Sequence, residues 1–257
     1  MPSRLRRPLL AAAVGLTLVA GCTGGGEAQR PAGDLVTQEE AQTLAGLLHR
    51  NQQRGGADFV ATAPYGEDAL LTMTGSVDFR DEVGRAQVIT SFGDGGAEDT
   101  RTLFFTPEAI WVGDVPGLTE ALAAAGAPQA TYLRRSVTTG TGEGTPLLVD
   151  TLTELLLNLS APTSDDPQAF RDGDYTWQGQ RSIDSRLATL FGIPGGRTVA
   201  VTASDDLLTQ FVTTLGDAKF EVTITLSDHG TRRIDLPAPE ETADAAQHPD
   251  VAAALGM

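Results

Sequence analysis

The sequence predicts an α+β fold in which one antiparallel sheet carries helices on one face. Three observations carry this. Leu71 to Phe79 and Phe220 to Leu226 alternate apolar and polar residues, as half-buried strands do. Pro146 to Leu159 is apolar around most of a helix's circumference. The elements then follow the order helix, meander, buried helix, meander, which closes a two-layer core.

A helix is expected from Thr37, where Thr37-Gln38-Glu39-Glu40 fits a capping box. Ala41, Leu44, Leu47 and Leu48 share its apolar stripe, and Gly55-Gly56 ends it after about 17 residues. In the strand Leu71 to Phe79, the residues Leu71, Met73, Gly75, Val77 and Phe79 share one face. Asp81 to Gly84 reads as a turn into Arg85 to Phe92, with Ala86, Val88 and Phe92 on one side. Arg101 to Thr106 and Ala109 to Gly113 form the next hairpin, and Pro116 to Ala125 a helix. Thr131 to Thr138 is a strand or an extended crossing. Leu147, Leu148, Val149, Leu152, Leu155, Leu156, Leu157 and Leu159 then make the helix that should be nearly buried.

Pro167 to Arg171 adds a helical turn. Tyr175 to Ile183, Thr198 to Thr202 and Leu207 to Leu215 favour strands, followed by Phe220 to Leu226. Asp228-His229-Gly230 turns the chain into Ile234-Asp235-Leu236. From Pro237 the chain is rich in Pro, Ala and acidic residues, without strand pattern, closing in a short helix at Val251 to Leu255.

The start of the chain has the layout of a signal peptide: Arg4, Arg6 and Arg7, an apolar run from Leu9 to Ala20, then Val19-Ala20-Gly21-Cys22. The run is too short to span a bilayer, which takes roughly 20 residues. Small residues before a cysteine at this place resemble the bacterial lipobox, which implies cleavage after residue 21 and a lipid on Cys22. Cys22 is the only cysteine of 257 residues, so no internal disulfide can form. Residues 22–36 read as a lipidated N-terminus and a Gly-rich tether with a reach of about 20 Å. Residues 37–240 are expected to be a single domain, and residues 241–257 an acidic, Ala-rich tail.

Formal net charge is −16. Removing the leader takes three of 18 basic and none of 34 acidic residues, which leaves 15 against 34 and a mature charge of −19. With Lys219 the lone lysine and the arginines dispersed, nucleic acid is not expected as a partner, nor is attraction to anionic headgroups. The doublets Arg134-Arg135 and Arg232-Arg233 are the only local basic clusters of the mature chain. Neighbouring strand residues point to opposite faces, so a doublet does not present both side chains on one surface.

No catalytic constellation emerges. His49, His229 and His248 sit on a helix, in a turn and in the tail, without metal-ligand spacing. There is no G-x-S-x-G elbow. The glycines of TGTGEGTP (Gly140, Gly142, Gly144) match no phosphate-binding spacing. Asp172-Gly173-Asp174 opens a loop with Ile183 where a calcium loop needs Glu. No enzyme, cofactor or metal is expected. A hydrolase built from dispersed carboxylates is the remaining enzymatic alternative.

The lipobox, the leading helix, the strand LTMTGSVDF, the AIWVG hairpin, the leucine-rich helix and LLTQFVTTLGDAKFEVTITLSDHG together resemble the actinobacterial LppX/LprG lipoproteins. These are relatives in shape of the LolA lipoprotein carrier. Ser185 stands where that family commonly has Gly. The resemblance implies an incomplete antiparallel β-barrel wrapped around helices, with an apolar cavity for acyl chains. It also implies lipid anchoring at the extracytoplasmic face of the cell membrane, with an acylated lipid or glycolipid as ligand and a membrane transporter as candidate partner. Alternation assigns Leu71, Met73, Val77, Phe79, Val88, Phe92, Phe220, Val222 and Ile224 to the cavity wall, with Leu152, Leu155 and Leu156 from the central helix. The alternative is an envelope interaction or sensing module with a filled core.

Overall fold

A computed structural model describes residues 30–66, 68–93, 95–96, 98–138, 147–215 and 220–254. The expected signal peptide and the expected lipid site Cys22 lie outside these residues, as do Gly140, Gly142 and Gly144. Pro31–Met257 forms one compact unit, and every element below belongs to it.

The capping box forms at Thr37: its hydroxyl accepts from the Glu40 N–H, and the Glu40 carboxylate accepts from the Thr37 N–H at 2.7 Å. The expected long helix breaks at Gly46 into α1 (Gln38–Ala45) and α2 (Leu47–Arg54). Arg50 folds back over Gly46, donating to the carbonyls of Thr43 and Asp206, and a Cβ on residue 46 would collide with it. Gly55 ends α2 at φ 102, a conformation that favours glycine.

A five-stranded meander follows: β1 (Gly56–Tyr65), β2 (Ala69–Asp78), β3 (Val83–Phe92), β4 (Asp99–Phe105) and β5 (Ala109–Gly113). After α3 (Leu118–Ala124) come β6 (Tyr132–Ser136), α4 (Leu148–Leu157) and α5 (Pro167–Asp172). The second meander is β7 (Thr176–Ile183), β8 (Arg186–Ile193), β9 (Arg197–Thr202), β10 (Leu208–Leu215) and β11 (Phe220–Ser227). A 3-10 turn, β12 (Thr242–Asp244) and α6 (Pro249–Ala254) complete the chain.

Among the described residues, the twelve strands join one open sheet, ordered β12-β6-β5-β4-β3-β2-β1-β11-β10-β9-β8-β7. Every pairing is antiparallel except β12 on β6, and β1 with β11 joins the two meanders. The sheet curls. The rings of Phe59 on β1 and Phe105 on β4 meet edge to face at 6.3 Å. In a flat sheet their backbones would stand about 14 Å apart, three strand spacings. The largest core lies on one face, called inner here, where α1, α2 and α4 pack against β1–β5 and β8–β11. Asn51 ties α2 to the end of α4 by donating to the Leu159 carbonyl at 2.7 Å.

Five differences from the sequence reading have physical causes. β1 was not expected: its inner-facing positions Ala57, Phe59, Ala61 and Ala63 are mostly alanine, which carries little hydrophobic signal. β8 was not expected either. Asp184 (φ 47) and Ser185 (φ 64) make the tight turn without glycine, so the hairpin signal is missing although the hairpin forms. Ile234-Asp235-Leu236 forms no strand. The segment instead lies against the sheet, with Arg232 bonded to Asp58 at 3.0 Å and Ile234 packed on Phe104 and Trp111.

The tail is also more ordered than its composition suggests. β12 pairs with β6, and Ala243, Val251 and Ala252 bury themselves against Leu118, Leu122 and Leu133. The end of the expected tether docks on β7: the Gly33 N–H donates to Trp177 O, the Trp177 N–H to Asp34 O and the Val36 N–H to Tyr175 O.

Candidate functional site

Four adjacent strands present their inner-facing residues to the start of α4, and a cavity of about 310 Å³ remains between them. Its walls are Leu71 from β2, Val88 from β3, Leu103 from β4, Ile110 and Val112 from β5, and Leu148 and Val149 from α4. Tyr65, Phe92 and Leu147 also line it, and all three are exposed, which places them at its mouth. A second hollow of about 320 Å³ borders α4 at Thr153, Glu154, Leu157 and Asn158.

The cavity's charged groups are already paired. Arg101 Nε donates to the Asp99 carboxylate at 2.8 Å. Arg135 reaches from β6 to Asp150 in the first turn of α4, with Nη1 on Oδ2 at 2.8 Å and Nη2 on Oδ1. Asp150 is buried and also accepts from the Thr138 N–H at 2.6 Å. This two-pronged geometry fixes the start of α4 against the sheet. Arg134 points the other way, its guanidinium 5.4 Å from the Trp111 ring, as the alternation of strand side chains requires.

Of the twelve cavity positions read from alternation, Leu71, Val88 and Phe92 line the cavity. Met73, Val77, Phe79, Val222 and Ile224 face inward but are buried in packed core, as are Leu152 and Leu156. Leu155 is half-buried against that core, and Phe220 is exposed at the end of β11. The central helix is therefore less buried than its composition implies. Leu147, Leu148 and Val149 border the first cavity and Leu157 the second. Leu103, Ile110 and Val112 were not among the expected wall residues, although the alternation of their hairpin places them inward. Nothing in the sequence signals the Arg135–Asp150 pair, whose members lie fifteen residues apart on different elements.

Among the described residues, no three His, Cys, Asp or Glu side chains converge as metal ligands, and no helix is long and apolar enough to cross a membrane. His49 lies 2.8 Å from the Gln53 side chain, within α2. His229 is packed beside Arg186 and Asp205, where burial first and then the Arg186 charge lower its pKa.

No family model and no curated protein matches this chain. The solved structure of a LolA superfamily protein from Nitrosomonas europaea is similar at 12% identity and a TM-score of 0.26, over 81% of this chain and 98% of that one. Likeness of that degree assigns neither fold nor function to this chain. What the cavity can do chemically follows from its walls: the aliphatic side chains offer hydrocarbon a surface away from water, beside Thr90 and the paired charges of Asp99, Arg101 and Arg135.

Proposed function

We propose that this chain is a lipid-binding lipoprotein of the cell envelope that takes an acyl chain into the cavity between β2–β5 and α4. The observation that carries the reading is the wall of Leu71, Val88, Leu103, Ile110 and Val112, open to solvent past Tyr65 and Phe92, with each charged lining group paired. At about 310 Å³ the cavity stands at the lower end of small-molecule sites, roughly 300–1,000 Å³. That size suits one acyl chain of an acylated lipid or glycolipid. The open curled sheet around helices is the architecture that the LppX/LprG and LolA resemblance leads one to expect, and the carrier reading follows from it.

The leader and Cys22 supply the rest of the proposal. A lipid on Cys22 holds the protein at the extracytoplasmic face of the cell membrane, and a membrane transporter is the natural loading partner. A mature charge of −19 leaves headgroup attraction little part in anchoring. With Cys22→Ala the protein should be released or persist as uncleaved precursor. Unchanged mass and detergent partitioning would defeat the anchor.

One observation favours a second reading, an envelope interaction module with a filled core. Met73, Val77, Val222 and Ile224 are wholly buried in packed core, so much of the inner face holds no space. Mass spectrometry of organic extracts from the purified protein separates the two. Acylated lipid in stoichiometric amount supports the carrier; its absence, together with no uptake of added lipid, supports the module.

A further inference from the structure

Five large apolar side chains stand 42–51% exposed at one end of the sheet: Tyr65, Leu70, Phe92, Leu147 and Phe220. They are distant in sequence, and strand register gathers four of them. Tyr65 pairs with Ala69 beside Leu70, and Ala69 pairs with Phe92, at the ends of β1, β2 and β3. Phe220 opens β11 three residues beyond the Thr62–Thr223 pair, the same offset as Tyr65. Leu147 joins them by lining the same cavity as Tyr65 and Phe92. Tyr65, Phe92 and Phe220 have the parity of the inner face, whereas Leu70 has that of the outer. Both faces of the sheet thus contribute apolar side chains at this end, interspersed with the exposed carboxylates of Asp68 and Glu98, around the mouth of the cavity. Exposed apolar patches of this kind mark contact surfaces.

The N-terminal segment docks at this same end. Leu35 bridges to Thr176. Thr176 belongs to a row that runs through Gly192, Thr198, Val212, Thr223 and Thr62. Tyr65 and Phe220 lie three residues beyond that row, roughly 10 Å along the strands. Residues 33–36 thus pair with the first residues of β7, near the rim end of the sheet.

We infer that the rim of Tyr65, Leu70, Phe92, Leu147 and Phe220 seats in the interfacial region of a bilayer, so that the cavity mouth opens onto lipid. This rests on the acyl-ligand reading, because an acyl chain passing from bilayer to cavity then need not cross water. Contact is apolar and not electrostatic. A mature chain with net charge −19 is repelled by anionic surfaces, whereas Tyr and Phe suit the boundary between headgroups and acyl chains.

The test places a tryptophan at the rim of the mature protein and measures its quenching by brominated phosphatidylcholine vesicles, with the signal of Trp111 and Trp177 subtracted. Phe92→Trp and Leu70→Trp probe the two faces of the rim, and Asp81→Trp probes the β2–β3 turn at the opposite end. Severalfold stronger quenching at both rim positions than at residue 81, unchanged by salt, is the expected result. Adding Tyr65→Ser and Phe220→Ser to Phe92→Trp should cut the quenching by half or more. Equal quenching at the two ends, or no association with vesicles, overturns the rim proposal. Titration of the same proteins with a fluorescent acyl probe in solution keeps the two readings apart. Uptake without rim quenching removes the membrane contact and leaves the cavity function standing, whereas loss of both removes both.

Discussion

Gly84 on β3 and Phe105 on β4 are cross-strand partners, and the Phe105 ring fills the space that a Cβ on residue 84 would need. The ring leans over Gly84 toward Phe59, and this contact records the curl of the sheet. The backbone of Gly84 is not in the left-handed region, so space is the reason for glycine here. Gly84→Ala is expected to displace Phe105 and lower stability by about 1–3 kcal/mol, the usual range for overpacking a core. Urea denaturation of the variant checks this, and a midpoint equal to wild type would mean that the ring moves freely.

Arg135, half-buried on β6, and Asp150, 1% exposed on α4, fasten the helix to the sheet. Removing one member strands the other. Arg135→Met should destabilise the protein by about 3–5 kcal/mol, and Arg135→Met with Asp150→Leu should recover most of that loss. A double-mutant cycle by chemical denaturation measures it. Equal losses in the single and double variants would show that the pair contributes nothing specific.

Strands with strong alternation, β2 and β11, were legible in the sequence, as were the capping box at Thr37 and the existence of α4. β1 and β8 were not, because alanine at the inner positions of β1 and Ser185 in the β7–β8 turn carry weak versions of the signals that define a strand and a hairpin. At the site, periodicity gave the correct face for Leu71, Val88 and Phe92. It could not distinguish a wall from a packed position: Val77 and Val222 share that face, yet both are fully buried in core. Whether a gap remains depends on how the Phe59 and Phe105 rings and α4 fill the curl, and such three-body packing leaves no trace in a one-dimensional pattern.

That distinction can be measured with two tryptophans. Val88→Trp projects into the cavity and should reduce acyl-probe binding at least tenfold while the melting temperature changes little. Val222→Trp inserts the same bulk where no space exists, and should lower stability by about 1–3 kcal/mol or more. Identical behaviour of the two variants in both assays would mean that the cavity is not a distinct site.

His229 gives stability a pH dependence. Burial and the Arg186 charge lower its pKa, while Asp205 and the Leu208 backbone pull the other way, so the folded protein holds the ring neutral more strongly than the unfolded chain does. In the unfolded chain the ring titrates near the ordinary value of about 6.5. Below that value the unfolded state binds the proton more readily, so stability from this group is fully present above pH 6.5 and is lost as pH falls toward the lowered folded pKa. His229→Gln should flatten the stability profile over that interval. An unchanged slope would assign the acid sensitivity to other groups.

Affinity as a function of chain length tests acyl binding most directly. Isothermal titration of the folded protein with single-chain amphiphiles sharing one uncharged headgroup should show affinity rising about fourfold per added methylene, the equivalent of roughly 0.8 kcal/mol of buried CH₂. The rise should level off once the cavity is full, and added salt should have little effect. Affinity that is absent, or that stays flat as the chain lengthens, would contradict the assignment of this cavity to an acyl ligand.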